Sequence, residues 1–240
     1  MFGWSRSNFD EFPKVYMRFK AKDCESDDLV EYRIQDLPEN RYDDALNFMF
    51  HDQYLREEPF AKGHEIKDDP LAMEDFTEYY TAMINEKMSL VCFKEGSDEI
   101  VALNILFGMD VKYEMAAPVK SEAIKKIQLI IKDVMTTSAP FEPTDDEFVV
   151  EAMGLSVARK YRKRGIAVKM LESRILLMKH AGLNRTSTIF TALGSQIAAK
   201  KAGYTEYCEI TYDELMAKGH KFKHLTEKSV KTLGYQIQRK

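Results

Sequence analysis

Apolar residues recur along this chain in two spacings, and the switch between them outlines its elements. Residues 30–35 are short and β-prone, and Pro38-Glu39-Asn40 then turns the chain into a helical spacing carried by Tyr42, Ala45, Leu46 and Met49. A second helix is predicted over 69–88. It opens on Asp69-Pro70, an N-cap and first-turn pair, and carries Leu71, Met73, Phe76, Tyr79, Tyr80, Met83 and Ile84. Residues 90–94 and 100–109 read as a hairpin joined by the polar turn Glu95-Gly96-Ser97-Asp98-Glu99. Ala123, Ile127, Ile130, Ile131 and Val134 share one face of an amphipathic helix over 121–135, which Pro140 and Pro143 are expected to end. After it come a strand over 147–157 and a helix over about 165–181, with Ala167, Leu171, Ile175 and Met178 on one face and Gly182 as C-cap. A strand over 186–192, a short helix over 195–201 ending at Gly203, a strand over 204–212 and a short terminal strand over 233–237 complete the pattern.

Strands and helices alternate without a Gly/Ser/Pro-rich linker or an internal repeat, so an α/β fold on a mixed sheet is expected, as one domain over 1–240. The composition supports a packed core: 45% of the 240 residues are hydrophobic and 11% aromatic. A net charge of −4 offers nucleic acid and acidic membranes no bulk attraction, so neither is expected as a partner. Cys24, Cys92 and Cys208 are too few and too scattered for a disulfide framework or a cysteine zinc site, and His220 and His224 lack a carboxylate between them. No metal is expected. Without a membrane-spanning run or an apolar leader, the reading is of a cytosolic protein.

One basic cluster breaks this even charge. Arg162-Lys163-Arg164-Gly165-Ile166-Ala167 follows the strand over 147–157 and opens the next helix. Backbone N–H groups, a helix N-terminus and several cations at such a junction form an anion cradle, although a solvated basic turn has the same composition. The chain has no Gly-x-x-x-x-Gly-Lys-Ser/Thr run and no Gly-x-Gly-x-x-Gly after a strand, which excludes P-loop and dinucleotide readings.

The wording from Leu155 to Ala167, with Tyr161 inside it, resembles the coenzyme A loop of the GCN5-related N-acetyltransferases. Thr191 to Tyr204, ending in Ala202-Gly203-Tyr204, is similar to that family's following strand-to-helix unit, although alone it reads as a helix with a glycine C-cap. The resemblance implies a central twisted mixed sheet whose neighbouring parallel strands, here 147–157 and 186–192, splay to admit the pantetheine arm. The coenzyme A core would span about 147–212 and the acceptor segments about 30–90. Acetyl-CoA would be the co-substrate, held by Leu155, Ser156, Val157, Arg162, Lys163, Arg164, Gly165, Ile166 and Ala167. Lys160, Arg162 and Arg164 are candidates to meet phosphate charge. Any Cβ at Gly165 is expected to crowd the phosphate or the helix start, and oxyanion donors are expected near Leu155 and Val157, at a strand bulge.

Arg56-Glu57-Glu58-Pro59-Phe60 narrows the resemblance to the insect-type arylalkylamine N-acetyltransferases, which places the general base at Glu58. By itself, Glu57-Glu58 reads as an acidic pair on a loop. The same resemblance puts two hydroxyls near the thioester at Thr191 and Ser195, with threonine in place of the usual serine. It departs again at Lys163, where the family often has glycine. The implied reaction is transfer of acetyl to a small, arylalkyl amine. The acceptor pocket is expected among 42–60, 69–88 and 204–212, and the helix at 120–136 receives no role. A catalytically silent acetyl-CoA-binding module, or an acetyltransferase for polyamines or protein lysines, are the alternatives.

Overall fold

The computed structural model describes Trp4, Arg6 and residues 11–51, 54–110, 119–138 and 148–238. Among these residues eight strands form one sheet: β1 Val15–Lys22, β2 Leu29–Asp36, β3 Leu90–Lys94, β4 Ile100–Asp110, β5 Phe148–Val157, β6 Arg185–Phe190, β7 Thr205–Thr211 and β8 Ser229–Gln236. The order across the sheet is β1-β2-β3-β4-β5-β6-β8-β7. Every neighbouring pair is antiparallel except β5 and β6, which run parallel and keep a single pair in register, Val150 with Thr186. Beyond that pair the two strands splay. The expected mixed α/β sheet with a splayed parallel pair is present.

Helices cover both faces. α1 Tyr42–His51, α2 Tyr54–Glu57, α3 Pro59–Gly63, α4 Pro70–Asn85, α5 Glu122–Thr137 and α8 Tyr212–Ala217 pack on one; α6 Ile166–His180 and α7 Leu193–Lys201 pack on the other. β4 is buried on both sides, so its sequence is an unbroken apolar run rather than an alternating one. Leu103, Ile105 and Phe107 enter the first core and Ala102 and Leu106 the second. α5 is seated on α4 through interlocked caps. Asp69, the N-cap of α4, accepts from the Ser121 hydroxyl at 2.6 Å, and Asp75 of α4 accepts from the backbone N–H of Ser121 at 2.8 Å.

The structure corrects several element boundaries. β6 stops at Phe190, and α7 begins at Leu193 because its first turn needs 191–192 as an extended lead-in. The strand expected to reach Tyr212 ends at Thr211, whose hydroxyl and Glu214 form a reciprocal capping box that starts α8. The short terminal strand is eight residues long, and it lies between β6 and β7. The polar-looking stretch between the first two predicted helices holds α2 and α3, and β1 adds an edge strand that the apolar pattern did not signal. Pro140 and Pro143 lie outside the described residues.

Candidate active site

The splay opens into a cavity of about 1440 Å³, lined by β5, β6, the start of α6, α7 and the α2–α5 side of the sheet. Its shape follows from β5. A bulge between Asn104 and Leu106 of β4 gives β5 one extra residue, at Met153–Gly154, slightly earlier than expected. Gly154 takes φ +107, and a Cβ there would meet the Tyr54 hydroxyl at 2.6 Å and Met49 Cε at 2.8 Å, so only glycine lets the α1–α2 side close on the bulge. Asn104 Nδ2 donates to the Gly154 carbonyl at 2.8 Å and fixes it.

Beyond the bulge the backbone donors are set by alternation. Ala158 N donates to Val101 O of β4 at 2.9 Å, so Ser156 N faces β4 as well, and the N–H groups of Leu155 and Val157 face the side where β6 has diverged. Two donors therefore point into the splay without a ladder partner among the described residues.

The cradle follows directly. Tyr161 is buried, with its hydroxyl donating to Glu99 at 3.0 Å, and Lys163 and Gly165 take φ 62 and 79 before α6 begins at Ile166. The left-handed φ at Lys163 explains why a glycine suits that position equally well. A Cβ at Gly165 would meet nothing within 4 Å, which corrects the expectation of crowding at the helix start: the requirement for glycine is its φ, and the space in front of it is open. The N–H groups of the first turn of α6 carry no intrahelical partner and face this space.

The three cations of the motif have different tasks. Arg162 donates through Nε to Val157 O at 2.8 Å, and its Nη1 lies 2.7 Å from Glu57, which Arg159 also clasps. Arg164 turns away from the cavity, donating to Asp23 O at 2.9 Å and Arg162 O at 2.8 Å. Lys163 lines the cavity and is exposed, with no ion-pair partner among the described residues. Lys160 pairs with Glu99 at 2.8 Å.

Glu58 is the N-cap of α3, with Pro59 at the first helical position. One carboxylate oxygen accepts from Ala61 N at 2.6 Å and the other from the Thr191 hydroxyl at 2.6 Å. Burial raises its pKa, against the pull of the Thr191 hydroxyl and the backbone N–H groups of Ala61 and Phe60. Tyr212 supports the contact from behind by donating to Thr191 O at 3.0 Å. Ser195, in the first turn of α7, also lines the cavity, but its hydroxyl donates to Ala192 O at 2.7 Å. The structure thus joins Glu58 to Thr191 and leaves Ser195 on its own helix.

Of the aromatics in the segments expected to hold the acceptor pocket, Phe60, Phe76, Tyr79 and Tyr80 line the cavity. Tyr42, Phe48, Phe50, Tyr204 and Tyr207 do not. The strand over 204–212 is no wall of it, because β8 separates β7 from β6. In its place α5 supplies Ile124, Ile127, Ile131 and Met135, giving the helix at 120–136 a role. Tyr54, Glu151 and Arg174 also line the cavity and were not anticipated. No cluster of three metal-ligating side chains occurs among the described residues, and no helix among them is long and apolar enough to cross a membrane.

Comparison with solved structures adds relatives. A protein assigned as arylalkylamine N-acetyltransferase 7, from the yellow fever mosquito Aedes aegypti, matches with a TM-score of 0.92 at 38% identity, covering 98% of this chain and 100% of that one. Arylalkylamine N-acetyltransferase 2 of the same mosquito matches with a TM-score of 0.76 at 18% identity, over 86% of this chain and 99% of that one. A polyamine N-acetyltransferase of Drosophila melanogaster, which forms N-acetylagmatine, matches with a TM-score of 0.66 at 15% identity, over 86% and 100%. The last two show a shared fold alone. No family model and no curated protein sequence matches the chain.

Proposed function

Because the chain belongs to the GCN5-related N-acetyltransferases, among the insect arylalkylamine N-acetyltransferase-like proteins, we propose that it transfers the acetyl group of acetyl-CoA to the primary amine of a small arylalkyl substrate. Acetyltransferases of this family use acetyl-CoA as co-substrate, and the residues present fit it. An open left-handed glycine, a helix N-terminus and Lys163 face the diphosphate position, and Ser156, Arg162, Ile166 and Ala167 complete that wall. The single observation that carries the reading is the Glu58–Thr191 pair, a half-buried carboxylate with a raised pKa on the cavity wall.

The chemistry divides among named groups. An alkylamine is protonated at neutral pH and attacks a thioester only when neutral, so Glu58 removes that proton. The N–H groups of Leu155 and Val157 hydrogen-bond the thioester carbonyl oxygen and stabilise the negative charge that develops there. Thr191 already donates to Glu58. Once Glu58 is protonated, that hydroxyl is free to accept from it and to donate onward to the departing thiolate, with Ser195 as the second hydroxyl at the cavity wall. The apolar lining from α4 and α5 supports an aryl acceptor over a protein lysine, which needs an open polar groove.

Free-thiol release from acetyl-CoA tests this against tyramine, dopamine, serotonin, tryptamine, spermidine, agmatine and a lysine peptide. The expected result is release with the arylalkylamines well above the rest. Release with spermidine or agmatine alone would move the assignment to polyamines.

A further inference from the structure

Tyr54 opens α2, four positions before Glu58. Glu58 N donates to Tyr54 O at 2.8 Å, so the two stand one helical turn apart, a spacing that puts both side chains on one face of the turn. Both line the cavity. Tyr54 is only half-buried, and its ring closes the α1–α2 side over the β5 bulge. The position that a Cβ of Gly154 would take lies 2.6 Å from the Tyr54 hydroxyl oxygen and 2.8 Å from Cζ. Because Gly154 has no side chain, that hydroxyl rests directly against the bulge backbone, next to Leu155, whose N–H points into the splay.

The groups assigned above leave the amine held at one point. The N–H groups of Leu155 and Val157 serve the carbonyl oxygen, and Glu58 takes a proton from the nitrogen. An alkylammonium carries three N–H donors, so two remain after that transfer, beside a lone pair that must face the carbonyl carbon. A single contact leaves the nitrogen free to turn, whereas a second acceptor fixes the direction of attack. Burial holds the Tyr54 pKa well above the ordinary tyrosine value, so its side chain is a neutral hydroxyl whose oxygen accepts.

We propose that the Tyr54 hydroxyl oxygen accepts a hydrogen bond from the substrate amine and holds it over the β5 bulge, lone pair toward the thioester, while Glu58 takes the proton. This rests on the amine-acetylating reading above and deepens it.

Tyr54→Phe tests it, because the variant loses the oxygen and keeps the ring that covers Gly154. Calorimetry on the coenzyme A-loaded protein at pH 7 compares tyramine with 4-ethylphenol, which has the same ring and two-carbon arm without the amine. The variant should bind tyramine about ten-fold or more weakly and 4-ethylphenol as the wild type does. At saturating acetyl-CoA, kcat/KM for tyramine should fall at least as far, while the acid limb set by Glu58 keeps its position. Unchanged tyramine affinity overturns the contact, even if kcat falls, since the hydroxyl then serves the carbonyl oxygen. An equal loss for both ligands overturns it too, as a packing effect. Should Tyr54→Phe not fold, the wild type still decides, because equal affinity for tyramine and 4-ethylphenol overturns the contact without a variant. No turnover by the wild type with tyramine overturns acetylation, and the binding comparison then judges the amine contact separately.

Discussion

Glu58→Gln removes the proton acceptor and little else. The glutamine amide keeps the length of the side chain and one oxygen to accept from Ala61 N or the Thr191 hydroxyl, which Glu58 engages at 2.6 Å each. Loss of the charged N-cap of α3 costs about 1 kcal/mol, small against a domain stability of about 5–15 kcal/mol, and removing a buried charge offsets part of it. The catalytic loss should be much larger. General-base removal costs about 10²–10⁴-fold, or about 3–5 kcal/mol of barrier. The pH dependence separates this from a structural effect. A primary amine with a pKa near 10 is neutral in about one molecule per thousand at pH 7 and about one in ten at pH 9. The variant, dependent on amine that is already neutral, should gain about ten-fold per pH unit across that range. The wild type should instead lose activity as pH falls through the raised pKa of Glu58 and level off above it. The assay is thiol release with tyramine from pH 6 to 9. Wild-type turnover by Glu58→Gln at pH 7, or parallel profiles for the two proteins, would refute the assignment.

Gly165→Val places a Cβ that meets no protein atom within 4 Å but forces a β-branched residue into φ 79 and fills the space facing the helix N-terminus; calorimetry should show acetyl-CoA binding severely weakened in a folded protein. Lys163→Ala should raise the apparent KM for acetyl-CoA a few-fold and make it less sensitive to salt, as expected for an exposed cation meeting phosphate. Arg164→Ala should disturb cofactor binding without that change in salt dependence, because Arg164 holds backbone carbonyls. Glu151 is protonated in the fold up to about pH 8 and ionised in the unfolded chain above its ordinary value of 4.5, so its contribution to stability falls as pH rises between the two. Urea denaturation at pH 6 and pH 8 should show a wild-type loss of up to about 1.4 kcal/mol per pH unit that Glu151→Gln lacks.

Legibility in the sequence tracked distance along the chain. The cradle and its flanking elements are contiguous, so strand pattern, left-handed positions and helix start could be read together from 148 to 180. Glu58 and Thr191 lie 133 positions apart; the family resemblance named each separately, and nothing in the sequence signalled that they pair. A carboxylate pair before a proline does not announce which oxygen will be buried. Arg164 shows the opposite failure: counting charge in a motif says nothing about direction, and its guanidinium serves the β1–β2 loop. Glu151 and Arg174 were illegible because a charged residue in a strand or helix reads as solvent-facing until the sheet places a cavity or a strand vertex over it. α8 was readable in principle, since Thr211 and Glu214 carry the capping-box spacing, but the β-prone run before them extended the strand reading past it. The apolar face of α5 was visible from its period, and what it covers depended on the caps that seat it on α4.

Acetyl transfer from acetyl-CoA to an arylalkylamine should leave two products. Incubation of the protein with acetyl-CoA and tyramine, followed by chromatographic and mass-spectrometric measurement of both products, tests it most directly. N-acetyltyramine and free coenzyme A should appear in equal amounts, with neither formed above background by Glu58→Gln at pH 7. Free coenzyme A without acetylated amine, or tight acetyl-CoA binding with neither product, would contradict it.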